Sequence, residues 1–177
     1  MSRDRVKAWA LAVIFGLFAV VLQSTALHGI FGEKMEASLI FGLILWLAFF
    51  KNNPDGVILA FFLAYLQGAV SGSLSGIFML AGMSLYLVCF SLRDRFAPRT
   101  APGQFLFALG LGFCYKLVLL LALSIFVGAD FLRVQTPRFF ALEIILNAVL
   151  AVLIFSLFNR IKGFFDLIPE LVEPRRG

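Results

Sequence analysis

Six apolar runs, parted by short polar breaks, take up nearly the whole chain of 177 residues. They cover 8–30, 37–50, 56–70, 74–92, 104–128 and 139–158. A bilayer core about 30 Å thick needs roughly 20 apolar residues in a helix. Four runs reach that length or come close, and the second and third are short. No soluble layer architecture has a use for so much apolar sequence. Charged residues are only 14% of the chain and the mean hydropathy is +1.00, against about 25% charged in an average soluble domain. The expected fold class is an all-α integral membrane protein, a six-helix transmembrane bundle forming a single domain over 1–177. A first run this long, with no small-residue cleavage site, reads as a retained helix and not a signal peptide.

The breaks have their own chemistry. Asn53-Pro54-Asp55 gives a cap, a first-position proline and a first-turn acid, so the third helix is expected over 54–70. Thr136-Pro137 does the same for the sixth, expected over 137–158. Pro98 and Pro102 punctuate the link before the fifth, placed at 104–128. One unbroken helix over 56–92 would be about 55 Å long, so the chain must turn near Gly72. The tail, 160–177, has Ile161, Phe164, Phe165 and Ile168 on one side of a short helix, suited to the membrane interface.

Charge sorting orients the bundle. With the N-terminus in the cytoplasm, inside segments hold Arg3, Arg5, Lys7, Lys51, Arg93, Arg95, Arg99, Arg160, Lys162, Arg175 and Arg176. Outside segments hold Lys34, Arg133 and Arg138, and Lys116 is intramembrane. Eleven against three is the positive-inside pattern. Trp9 and Trp46 fall at the cytoplasmic interface, as an aromatic belt requires. Positive-inside topology also accounts for the net charge of +5 without nucleic acid as a partner.

The inventory of reactive groups is thin. Cys89 and Cys114 lie in apolar runs, and His28 is the single histidine, at an outside interface. No disulfide framework, His-based metal site, paired catalytic carboxylates or nucleophile elbow is available. The expectation is a non-enzyme with no cofactor.

Polar groups in lipid need a reason. Lys116 sits in the middle of the fifth helix. Glu143 is about a turn into the sixth, with Asn147 at i+4 on the same face. Gln67 lies near the outer end of the third helix, and Gln23, Ser24 and Thr25 near the outer end of the first. These groups share the outer half of the membrane. They line a polar cavity or partner groove there, or they hold the bundle together by interhelical hydrogen bonds. Counted along the helices, Lys116 and Glu143 differ in depth by roughly 11 Å, so a direct ion pair is strained and a water or Gln67 between them is as good a reading. Gly68, Gly72 and Gly76 are spaced four apart. They form a small-residue face for a close helix, or Gly72 and Gly76 serve only the turn. Gly68 is expected to be a close-packing position, with Gly16 the more tolerant site.

Three segments resemble the rod-shape-determining protein family MreD. Leu22-Gln23-Ser24-Thr25 closes the first helix as in that family. Leu66-Gln67-Gly68-Ala69-Val70-Ser71-Gly72-Ser73-Leu74-Ser75-Gly76 is similar to its central segment, which reads Gly-Leu-x-x-Asp-x-x-Ser-Gly-x-x-x-Gly. Asn147 in a late helix, followed by an apolar run and Asn159-Arg160, looks like its final helix. Two departures stand out. The family's aspartate falls on Gly68, with Gln67 the nearest substitute, and the Pro-Asp pair that opens the second helix is replaced around Glu36-Ala37.

The resemblance implies a non-enzymatic scaffold of the bacterial cell-elongation machinery. It would act in peptidoglycan synthesis and cell shape, as a multi-pass protein of the cytoplasmic (inner) membrane with both termini inside. The implied partners are the bitopic coiled-coil protein MreC, the actin-like filament MreB, the peptidoglycan polymerase and transpeptidase, and membrane lipids. The family is also similar in fold to substrate-binding subunits of energy-coupling-factor vitamin transporters, which makes such a subunit the alternative. Those dock their energising partner on an Ala-x-x-x-Ala face of the first helix, and Ala8 and Ala12 have that spacing.

Overall fold

The structure, a computed structural model, describes residues 3–23, 25, 38–50, 54–70, 75–93, 95–96, 100–127 and 137–162. Among these residues it is all-helical. Six helices follow one another: α1 (Arg3–Leu22), α2 (Leu39–Phe50), α3 (Pro54–Val70), α4 (Ser75–Leu92), α5 (Ala101–Phe126) and α6 (Pro137–Lys162). Two of them, α5 and α6, are long and apolar enough to cross a membrane.

Three helices differ by several residues from the sequence expectation. Helix α1 opens at Arg3 rather than at residue 8 and closes at Leu22. Arginine and lysine are good helix formers, so helix runs further than apolar character does. Past its end, the Thr25 hydroxyl donates to the Val21 carbonyl at 2.6 Å and closes the last turn. Helix α5 opens at Ala101, with Pro102 inside its first turn, where a missing N–H costs nothing. Helix α6 runs on through Asn159-Arg160 to Lys162. Gly72, His28, Ser24 and residues 163–177 of the expected tail lie outside the described residues.

The shortest helix is the core. At 1.5 Å per residue α2 is about 18 Å long. Every described side chain over Leu39–Phe49 is buried or half-buried. The cause is composition: its sequence, LIFGLILWLAFF, has no polar face to offer, and a helix apolar all round is stable only when surrounded. It packs on α1, α3, α4 and α6, while α3 with α4, α4 with α5, and α5 with α6 close the ring. Rings stack near its C-terminal end. Trp46 meets Phe158 with centroids 4.5 Å apart, and Phe49 meets Phe107 at 5.2 Å and Phe155 at 5.6 Å.

Small residues set the helix spacing. A Cβ built on Gly42 of α2 would lie 3.0 Å from the Ala151 Cα of α6. One on Gly82 of α4 would lie 2.7 Å from the Ala64 Cβ of α3. On α3, Gly56, Ala60, Ala64 and Gly68 recur every four residues and all are buried. Backbone approach of this kind is how helices associate where no hydrophobic drive separates them from their surroundings.

The outward faces are apolar. On α6, Leu142, Ile145, Val149, Leu153 and Leu157 are exposed while Glu143 and Asn147 are buried. On α5, Leu106, Phe113, Leu117, Leu121 and Ile125 are exposed while Lys116 is buried. This is the inverse of a soluble helix.

Candidate functional site: a buried polar layer at the start of α2

A helix begins with N–H groups that have no partner within it. For α2 these groups start inside the bundle, and side chains from three places meet them. Ser38 is the cap, its Oγ accepting from the Phe41 N–H at 3.2 Å, the standard bond to the third helical position. The Ser38 N–H itself donates to Asn147 Oδ1 of α6 at 2.7 Å. In a capping box that second bond comes from a glutamate three residues on; here phenylalanine occupies that place and another helix supplies the acceptor. The Leu39 N–H donates to Gln23 Oε1 at 3.2 Å, from just past α1. Ser38 and Asn147 are each 2% exposed, so water is no substitute for these partners.

The opposite end of α2 is closed the same way. Arg93, at the end of α4, donates from Nη1 to the Ala48 carbonyl at 3.3 Å, and its guanidinium lies 4.1 Å from the centre of the Phe90 ring. A cation at a helix C-terminus also answers the negative end of the dipole.

One turn from Asn147 on α6, Glu143 Oε2 meets Lys116 Nζ of α5 at 2.5 Å. The two side chains are 3% and 2% exposed. The ion pair is direct, so neither a water nor Gln67 stands between its partners. The expected depth mismatch shrinks because α5 ends at Phe126, not at residue 128. From that end Lys116 is about 15 Å down, and Glu143 is about 9 Å from Pro137. The remaining offset is within the reach of a lysine side chain. Tyr115, next to Lys116, sets its ring 5.7 Å from Phe41 on α2, and Gly112 leaves room there, since a Cβ on it would lie 3.3 Å from Ile144 Cγ2 and 3.5 Å from Phe41 Cζ.

The structure therefore joins Gln23 and Asn147 at one helix start, and Lys116 with Glu143 beside them on α5 and α6. Gln67 is buried near the end of α3, outside these bonds. Gly68 is buried in the α3 stripe. Gly76 is exposed, and a Cβ there would meet nothing within 4 Å. The fourfold spacing does not carry Gly68 and Gly76 onto one face, because α3 ends at Val70 and α4 begins anew at Ser75. Gly16 is buried, and a Cβ on it would lie 2.5 Å from Leu63 Cδ2, the far end of a flexible side chain.

Sequence reasoning missed Ser38 and Arg93 as parts of this layer. Ser38 was findable, as a serine directly before an apolar run is a cap signal. Arg93 read only as an inside charge, because nothing local shows that α2 ends beside it.

Among the described residues no three His, Cys, Asp or Glu side chains come together as a metal site. The chain matches no family model, no curated protein and no solved structure.

Proposed function

We propose that the chain is a multi-pass scaffold of the bacterial inner membrane, serving the cell-elongation machinery without catalytic turnover. Both termini are cytoplasmic in this reading. What carries it is the engagement of the polar groups: Gln23 and Asn147 cap α2, and Lys116 and Glu143 bind each other. Groups committed to holding helices together suit a static scaffold better than a carrier that must offer them to a solute. The apolar outward faces of α5 and α6 favour lipid around the bundle. The resemblance to MreD at residues 22–25, 66–76 and 147–160 supplies the biological setting. An MreC-like single-span protein, an actin-like filament and the peptidoglycan polymerase and transpeptidase are the partners it brings.

Two experiments test this. Reporter fusions near Lys34 and Arg133 should read outside, and those near Arg95 and the C-terminus inside; an outside signal near Arg95 overturns the topology. Depletion should round a rod-shaped cell, and purification should retain a coiled-coil single-span protein. Co-purification with two ATPases and a bound vitamin would instead establish the transporter subunit.

A further inference from the structure

The net charge of this sequence is carried by the stretches that adjoin one set of helix ends. Helix contacts place the ends of α2, α4 and α6 together. Arg93 at the close of α4 bonds Ala48 near the close of α2, and Trp46 of α2 meets Phe158 of α6. Phe49 of α2 meets Phe107, near the start of α5, so the adjoining segments meet at the same end. The sequence stretches that adjoin those helix ends, 1–7, 51–55, 93–99 and 159–177, carry eleven lysines and arginines against six acids. The segments of the opposite end carry three against three. The net +5 thus belongs to one face.

Just past α4 the chain is held to the helix end by two backbone bonds. The Arg95 and Phe96 N–H groups both donate to the Leu92 carbonyl, at 3.1 and 3.0 Å. Arg93 is half-buried against Phe90 and the end of α2. Arg95 and Phe96 are exposed, Phe96 by 60%. An exposed cation next in sequence to an outward phenyl ring, just past a helix end, has the two features of an interfacial lipid contact. The charge meets a phosphate, and the ring enters the acyl boundary beneath it.

We propose that Arg95 and Phe96, just past the end of α4, form a binding site for an anionic phospholipid headgroup, with Arg95 on the phosphate and Phe96 as the apolar anchor. The site rests on the membrane reading above, with this end facing the acidic inner leaflet. Charge complementarity selects the occupant, since each cation near such a surface contributes about fivefold in affinity. Phe96 separates a lipid from a free anion, because only a lipid brings an acyl chain for it to touch.

The test uses the full chain in nanodiscs of phosphatidylcholine with one-fifth phosphatidylglycerol, reading lipids retained on gentle extraction by native mass spectrometry. Wild type should keep phosphatidylglycerol in preference to phosphatidylcholine. Arg95→Gln should lower that retention about fivefold, and Phe96→Ser should lower it as well. Lys34→Gln, a charge at the opposite end, should change nothing. Glycerol phosphate added in solution should displace little. Equal retention in Arg95→Gln and wild type overturns the site, as does full displacement by glycerol phosphate, which would make it a free-anion site. Loss on Arg95→Gln without any effect of Phe96→Ser overturns the anchor and points to an acidic protein segment as the occupant. If the chain does not enter the bilayer at all, the membrane reading fails instead. Insertion in the expected orientation with no lipid preference defeats the headgroup site alone.

Discussion

Replacing Glu143 by glutamine should be among the most damaging single changes in this chain, and replacing Lys116 as well should undo much of the harm. Lys116 Nζ and Glu143 Oε2 are 2.5 Å apart, with the side chains 2% and 3% exposed. Breaking a buried pair from one side leaves an uncompensated charge, at about 3–5 kcal/mol. In the membrane reading, an unpaired lysine at that depth costs at least about 2.5 kcal/mol on insertion scales, so the two routes to a magnitude agree. Removing both charges with groups of similar volume is close to neutral in other buried pairs. The double variant Lys116→Met with Glu143→Gln should therefore recover most of the stability. The coupling energy between the sites should be about 2–4 kcal/mol, near or above the upper end of what contacting residues show. The assay is reversible unfolding of the purified chain in mixed micelles for wild type, both singles and the double. Additive singles would refute the reasoning and leave each side chain stabilised by something other than the other.

Asn147→Ala should cost about 1–3 kcal/mol, because the buried Ser38 N–H loses its acceptor, and hydrogen exchange should quicken first at Ser38 and the opening turn of α2. Gly42→Leu should cost about 1–3 kcal/mol or more by overpacking against the α6 backbone, while Gly76→Leu should leave the unfolding midpoint within experimental error. Gly16→Leu should destabilise measurably through Leu63, in contrast to Gly76. Arg93→Gln should lower stability by about 1 kcal/mol or less, as a half-buried cap at a helix C-terminus would, and a larger loss would show that its stacking on Phe90 matters more.

Much of the fold was legible because helix starts are local events. Pro54 and Pro137 mark the openings of α3 and α6 in the sequence, and both helices begin on them. Apolar length alone misplaced the first and fifth helices, since charged residues such as Arg3 and Arg5 join a helix as readily as leucine does. The partners of the polar residues were less legible. Glu143 and Asn147 share a face at i+4, which the sequence shows, but their bonds run to Lys116 and Ser38, which sit on other helices. The depth argument separated Lys116 from Glu143 because the end of α5 was set two residues too late and the depth of Glu143 was counted from too late a start of α6. An error of two residues is about 3 Å, enough to turn a contact into a gap.

Helix α2 explains why polar residues gather where they do. In the membrane reading proposed above, a 12-residue helix, about 18 Å long, cannot reach both faces of a hydrocarbon core of about 30 Å. At least one of its ends must then lie below an interface, where backbone groups left open cost several kcal/mol each. The chain meets that cost with Ser38, Asn147 and Gln23 at the start and with Arg93 at the end. The cost of opening the start of α2 makes the layer cooperative. Gln23 comes from just past α1 and Asn147 from α6, so neither helix can leave without exposing an N–H of α2. The first and last helices are thus tied through a third whose described side chains are buried or half-buried, and this holds α1 and α6 together. A carrier that opened between α1 and α6 would have to break both bonds in each cycle, whereas a scaffold keeps them.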